Sequence, residues 1–166
     1  VPTAAAMPVV IQRKKLFLSL FALAANDEFK YDRYFQLQPN GPEAKYELSK
    51  GFFEIAAAMK PKPQTVALVG ADAEYPKLAL EGARENAKQA GIKIVYDRAY
   101  PSSMVDFTPI VRSIKATNPD LLFMATYPTD SVGMISSIHE IGFSARLVGG
   151  GMIGLQFAAF KQKLGP

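Results

Sequence analysis

From Gln64 onward the chain alternates short apolar runs with longer stretches of helical periodicity, joined by links of a few residues. The runs are QTVALVG (64–70), IKIVYD (92–97), LLFMAT (121–126) and ARLVGG (145–150). Between the first two, residues 76–90 carry Ala79, Ala83, Ala87 and Ala90 on one helical stripe, small enough to sit close to a sheet, and Gly91 stops the helix. Thr108-Pro109 reads as an N-cap and first-turn pair, opening a helix with Ile110, Val111 and Ile114 on one side. Asn118-Pro119-Asp120 makes a turn. Thr129 or Asp130 is the expected cap of the next helix, with Val132, Ile135 and Ile138 facing inward and Gly142 ending it; a last helix is expected over 155–163. Strands that alternate with helices pair in parallel through crossovers and are covered on both faces. The predicted fold is α/β, a doubly wound parallel sheet.

Upstream, residues 42–59 predict an amphipathic helix with Ala44, Leu48, Phe52, Ile55 and Met59 on its apolar stripe. Residues 1–40 keep a looser rhythm: a helix over VPTAAAMPVVIQRK, then strands at LFLSLF and RYFQLQ (33–38). Pro39-Asn40-Gly41-Pro42 breaks the chain and is read as a boundary. QRKKLFLSLFALAAND (12–27) imitates a secretory signal, a basic start followed by an apolar run. A basic helix end followed by a buried strand gives the same pattern, and an internal strand is the expectation.

Composition excludes several classes. The chain of 166 residues carries nineteen basic and fifteen acidic residues, but the basic ones are scattered and only Arg13-Lys14-Lys15 is a tight cluster. Nucleic-acid binding needs a concentrated basic face, so no such partner is expected. The longest apolar run, Leu16 to Ala25, is broken by Ser19 and falls short of the ~20 residues of a bilayer span, so no membrane insertion is expected. There is no cysteine, hence no disulfide, thiolate nucleophile or cysteine metal site.

TVALVGADAEYPKLALEGARENAKQAGIKIV, and then AYPSSMVDFTPIVRSIKATNPDLLFMATYPTDSVGMISSIHEIGF, resemble the second lobe of type I periplasmic solute-binding proteins of ABC importers. The branch is that of the branched-chain amino-acid (leucine/isoleucine/valine-type) binding components. The phrases that carry the likeness are ADAEYPK, DFTPIV, and NPDLLF followed by TYPTD. PTAAAMPVVIQRKK, KKLFLSLFALA and RYFQLQPN are similar to the end of the family's first lobe. The resemblance implies a remnant of the first lobe at 1–38, a hinge crossing at 39–42, and a second lobe at 43–166 that is incomplete at its end. Family chains are more than twice as long, so this chain looks like an internal fragment.

The resemblance also implies a site. The family's ligand lies between the lobes, at the carboxyl ends of the strands, where open α/β sheets generally bind ligands. Tyr75 in DAEYPK and Tyr127 in ATYPTD match tyrosines that line the cleft. The family's S-P-A-A-T loop, whose backbone amides and Thr hydroxyl hold a carboxylate, aligns with Ser19-Leu20-Phe21-Ala22-Leu23, so Phe21 and Leu23 would wall the solute from the first lobe. An amino-acid binder of this family carries a Glu that pairs with the ligand's ammonium in the loop where this chain has Gly151, within LVGGGMIG. A buried ammonium left unpaired costs on the order of 3–5 kcal/mol. Asp130 and Glu74 are the acids that could substitute, although neither occupies the matching position. The expected solute is therefore a hydrophobic or aromatic carboxylate, of benzoate or phenylpropanoid type, rather than a branched-chain amino acid.

The likeness implies a non-enzymatic binding component, periplasmic, partnered by a small-molecule solute and a membrane permease, with no cofactor. A ligand-sensing regulator or receptor domain on the same fold is the alternative. Gly149 to Gly154 also fits GxGxxG, but it follows the fourth strand and not the first of a βαβ unit, so a dinucleotide site is not favoured. His139 reads as a partly exposed structural residue, and no nucleophile elbow, HExxH or P-loop occurs. Asp72 and Glu74 stand near a strand end, and acid–base work would need their pKa values driven apart.

Overall fold

A computed structural model of the chain describes residues 2–19, 25–37, 43–155 and 157–164. Four parallel strands build its main sheet: β3 (Thr65–Ala71), β4 (Lys93–Tyr100), β5 (Leu121–Thr126) and β6 (Leu147–Met152), ordered β4-β3-β5-β6. A second, two-stranded parallel sheet pairs β1 (Phe17–Ser19) with β2 (Tyr34–Gln36), beside α1 (Pro2–Gln12) and α2 (Ala25–Phe29). The expected hinge at 39–42 lies outside the described residues.

The central strands explain the architecture. All six residues of β5 and six of the seven of β3 are buried, because both faces of the sheet are covered. Val66, Leu68, Leu121, Phe123 and Ala125 face α3 (Ala44–Ala58) and α4 (Glu74–Gln89). Ala67, Val69, Ala71, Leu122 and Met124 face α5 (Thr108–Ala116) and α6 (Pro128–Ile141). The chain runs from β3 through α4 to β4 at one edge, then crosses by α5 to β5 on the other side of β3. The doubly wound parallel arrangement is thus the one expected, and the order reverses between β3 and β5.

The small-residue stripe on α4 is present, with Ala79, Ala83 and Ala87 all fully buried. Gly142 closes α6 in the left-handed region at φ 61°, where a glycine costs least. Other local expectations shift. The buried residues of α3 are Ser49, Phe53 and Ala56, flanked by Leu48, Phe52 and Met59, while Ile55 is 58% exposed. The helix turns because α4 holds it: the Asn86 amide donates to the Tyr46 carbonyl and the Ser49 hydroxyl. The N-cap of α5 is not Thr108 but Phe107, and the Asp106 carboxylate just before it accepts the Thr108 N–H at 2.9 Å and is thereby held below its usual pKa. Helix α6 is entered through extended Tyr127 and Pro128, so neither Thr129 nor Asp130 caps it. Met134, and not Val132, is its fully buried apolar residue beside Ile138. The last helix shrinks to α7 (Ala158–Lys161) and a 3-10 turn at Gln162–Leu164.

The fourth strand lies two residues further on than expected. Its register runs from Leu121↔Leu147 to Thr126↔Met152, so Gly151 joins Gly149 and Gly150 inside β6 instead of opening a loop after it. That removes the strand–loop–helix context a GxGxxG site requires.

Asp120 joins the turn before β5 to the start of β3. Its Oδ2 accepts the backbone N–H groups of Gln64 (2.7 Å) and Thr65 (3.0 Å) and the Thr65 hydroxyl (3.2 Å). The Gln64 N–H is the main reason its pKa is depressed. Asp120→Ala is expected to lower stability by about 1–3 kcal/mol, because the donors lose a charged acceptor. A group whose pKa falls on folding stabilises above its unfolded value and ceases to as pH falls through the folded one. Urea titrations at neutral and acid pH should therefore show the mutational loss at neutral pH fade once Asp120 is protonated.

Candidate functional site

The carboxyl ends of β3 and β5 are neighbours at the point where strand order reverses, which is where an open α/β sheet leaves a crevice. Tyr75 stands in the first turn of α4 just beyond β3, and Tyr127 directly follows β5. The structure brings them together: their ring centroids are 6.2 Å apart with planes tilted by 52°. Rings this close touch each other, so they make one continuous aromatic wall and not two jaws around a third ring.

The Tyr75 hydroxyl donates to the Gly151 carbonyl at 3.0 Å, tying α4 to β6. Burial, with a contribution from Tyr127, pushes the Tyr75 phenol up to about 12. Tyr127 is also raised, first by burial and then by the charges of Glu74 and Asp130. Both phenols are neutral at physiological pH. Behind them Asp130 is 8% exposed and accepts the hydroxyl of fully buried Tyr100 at 3.0 Å, and the Tyr100 phenol is raised by burial and by that carboxylate. Asp130 therefore belongs to the packed base of the site. Asp72, one of the two acids near the end of β3, pairs with Lys77 at 2.5 Å.

Gly151, expected in a loop, is a strand residue whose carbonyl serves Tyr75. Ser19 ends β1 in the other sheet, 8% exposed, with its hydroxyl 3.4 Å from that of Thr3. Phe21 and Leu23 lie outside the described residues. His139 is exposed in the last turn of α6. A cavity of about 720 Å³ opens elsewhere, where Asn26 and Asp27 of α2 and Lys30 just after it meet Glu43, Lys45 and Leu78. Its walls are charged and the two tyrosines do not line it. Among the described residues no group of His, Cys, Asp and Glu could hold a metal ion, and no helix is long and apolar enough to cross a membrane.

Sequence reasoning missed the Tyr75–Gly151 and Tyr100–Asp130 contacts. They join residues 76 and 30 positions apart, and nothing local in either partner signals the other.

Comparison with known proteins agrees with the parallel α/β fold. The profile of the periplasmic binding protein family matches residues 1–163. The Leu/Ile/Val-binding protein homolog 8 of Brucella abortus (strain 2308) is 28% identical over 92 residues, 55% of this chain and 23% of the relative. An extracellular ligand-binding receptor from Rhodopseudomonas palustris HaA2 superposes with a TM-score of 0.81 at 19% identity, covering 97% of this chain and 43% of that one. The solute-binding protein of an R. palustris ABC transporter, in complex with 4-hydroxybenzoate, gives 0.77 at 16% identity, over 89% and 39%. The chain thus spans about a quarter of the curated relative's length and about two fifths of the solved chains. With the parallel sheet, the reversal of strand order and a family profile running almost end to end, the chain belongs to the periplasmic binding protein family, with its type I fold.

Proposed function

We propose that this chain works as part of the solute-binding component of an ABC importer, supplying one wall of a cleft that closes over a small carboxylate. The observation that carries the reading is the contact of Tyr75 with Tyr127 at the reversal of strand order. The aromatic wall fits the body of a hydrophobic or aromatic acid. By the likeness of Ser19 to Leu23 to the family's carboxylate-holding loop, that segment would supply the carboxylate's partners. Position 151 offers no acid to neutralise an ammonium, and Asp130 is occupied by Tyr100. The R. palustris neighbour's 4-hydroxybenzoate supports an aromatic acid, while the Brucella relative's name points to leucine, isoleucine or valine. Glu74 keeps its charge near Tyr127, so it is the ring surface of the wall that favours the former. Hinge closure would bury the solute and shape the surface a permease reads, with the protein working in the periplasm.

The test is a thermal-shift and calorimetric screen of a two-lobed polypeptide containing this chain, against benzoate, 4-hydroxybenzoate and leucine. Aromatic acids should raise Tm in proportion to the logarithm of their concentration over Kd. Tyr127→Ala should weaken them about tenfold, near the top of what an aromatic contact contributes. Tight leucine binding with no response to either aromatic acid would defeat the proposal.

A further inference from the structure

Of the three consecutive glycines in β6, one is required by the backbone and one is not. Gly150 has φ 129°, and a Cβ there would lie 2.4 Å from the Met124 carbonyl oxygen. Gly151 lies outside the left-handed region, so any residue could adopt its backbone conformation. What a side chain would meet at 151 is Tyr75: an ideal Cβ stands 2.2 Å from the Tyr75 hydroxyl oxygen and 3.2 Å from the ring carbon bearing it. The first distance is inside contact and the second is merely tight. A side chain at 151 and the Tyr75 hydroxyl therefore compete for one place.

Tyr75 has little freedom to yield while keeping its contact. Its backbone opens α4, which is anchored by buried Pro76, Ala79 and Leu80, so the ring itself must swing. On one side it meets Tyr127. The docked hydroxyl has also committed its proton: it donates to the Gly151 carbonyl and retains only acceptor lone pairs. Docked in this way, Tyr75 cannot offer a hydrogen bond to a carboxylate. It meets a solute with ring surface, and the solute's anionic end must lie elsewhere.

We propose that Gly151 is a specificity-determining residue: its missing Cβ lets Tyr75 dock on the β6 backbone, and the docked ring selects a carboxylate with an aromatic body over one with an aliphatic body. This rests on the proposed function above and assigns its solute preference to a single position.

Two arms test it. In the 166-residue chain, tetranitromethane nitration of Tyr75 is followed by peptide mapping, with the other tyrosines as internal reference. Nitration follows the phenolate, and a phenol held near 12 carries about a hundredth of the phenolate of one at 10. Gly151→Ala should raise the Tyr75 rate by tens of fold on that scale; an unchanged rate overturns the proposal. Should Gly151→Ala fold poorly, the double variant Gly151→Ala/Tyr75→Phe decides, since removing the hydroxyl leaves the 3.2 Å contact. It should melt no lower than Tyr75→Phe alone. A double variant as damaged as Gly151→Ala would overturn the competition.

In the two-lobed polypeptide, the benzoate-to-leucine affinity ratio should fall about tenfold in Gly151→Ala and recover in the double variant. A ratio that does not move, with benzoate still bound by the parent, overturns the inference alone and leaves the proposed function standing. A parent that binds leucine and not benzoate overturns the proposed function, and the selection with it, whatever the nitration shows.

Discussion

Phe123→Ala is expected to lower the unfolding free energy by about 3–5 kcal/mol, the usual cost of deleting a buried aromatic ring. Phe123 is fully buried at the middle of β5, a central strand. Its ring meets Phe52 edge to face at 5.3 Å and stacks with Phe53 at 6.3 Å, so it is the sheet's half of the joint with α3. The substitution leaves a hole between two rigid layers, with neighbours on β5 fixed by ladders on both sides. Collapse into the hole would have to come from α3. Typical domains are stable by about 5–15 kcal/mol, so the loss is a large share of the whole. Urea unfolding followed by far-UV circular dichroism measures it, and a change below about 1 kcal/mol would mean that α3 is not seated on the sheet. The consequence reaches the site, because Phe52 packs 3.6 Å from the Cβ direction of Gly149, in the strand that carries Gly151.

The second large effect is at Gly82, where α4 crosses α3. A Cβ at this position would lie 1.8 Å from the Lys45 carbonyl oxygen and 2.6 Å from its carbonyl carbon. Alanine in place of glycine inside a helix ordinarily gains about 1 kcal/mol from propensity alone. Here the obstruction is main chain, which no rotamer change relieves, so the two helices must separate. Overpacking typically costs about 1–3 kcal/mol, and the backbone obstruction places Gly82→Ala at or beyond the upper end, a net loss after the propensity gain. Gly51, in α3, has nothing within 4 Å of its Cβ direction. Gly51→Ala should therefore stabilise by about 0.5–1 kcal/mol. The same substitution in two packed helices is expected to change sign. If the two variants shift the urea midpoint in the same direction, the close α3–α4 approach is absent in solution.

The parts of the fold legible in the sequence are those where one short-range requirement dominates. LLFMAT reads as a strand with the observed ends because it is apolar on both faces and bounded by Pro119-Asp120 and Tyr127-Pro128. The alanine stripe of α4 and the glycine ending α6 are likewise local statements, one about side-chain volume at helical spacing and one about φ. The errors share a different cause. Ile55 shares the helical period of Phe52 and Met59, and only the seating of α3 against Asn86 and Gly82 of α4 turned it outward. The limits of β6 depended on its register with β5, which extends pairing through Gly151 and Met152, past the end that local propensity gives the strand. The site divides in the same way. Tyr75 and Tyr127 were recognisable as strand-end residues, but their contact depends on β3 and β5 being neighbours.

The amino-acid order alone determined the alternation of elements, the burial of β3 and β5 on both faces and, through its phrases, the family. It did so because period, volume and turn chemistry act over a few residues, within reach of the chain's own stereochemistry. The tertiary structure alone decided that a tyrosine hydroxyl occupies the space a side chain at 151 would need, and that Asp130 serves Tyr100 instead of facing the crevice. Contacts of that kind join residues from separate elements, and their distances follow from how helices and strands settle on one another.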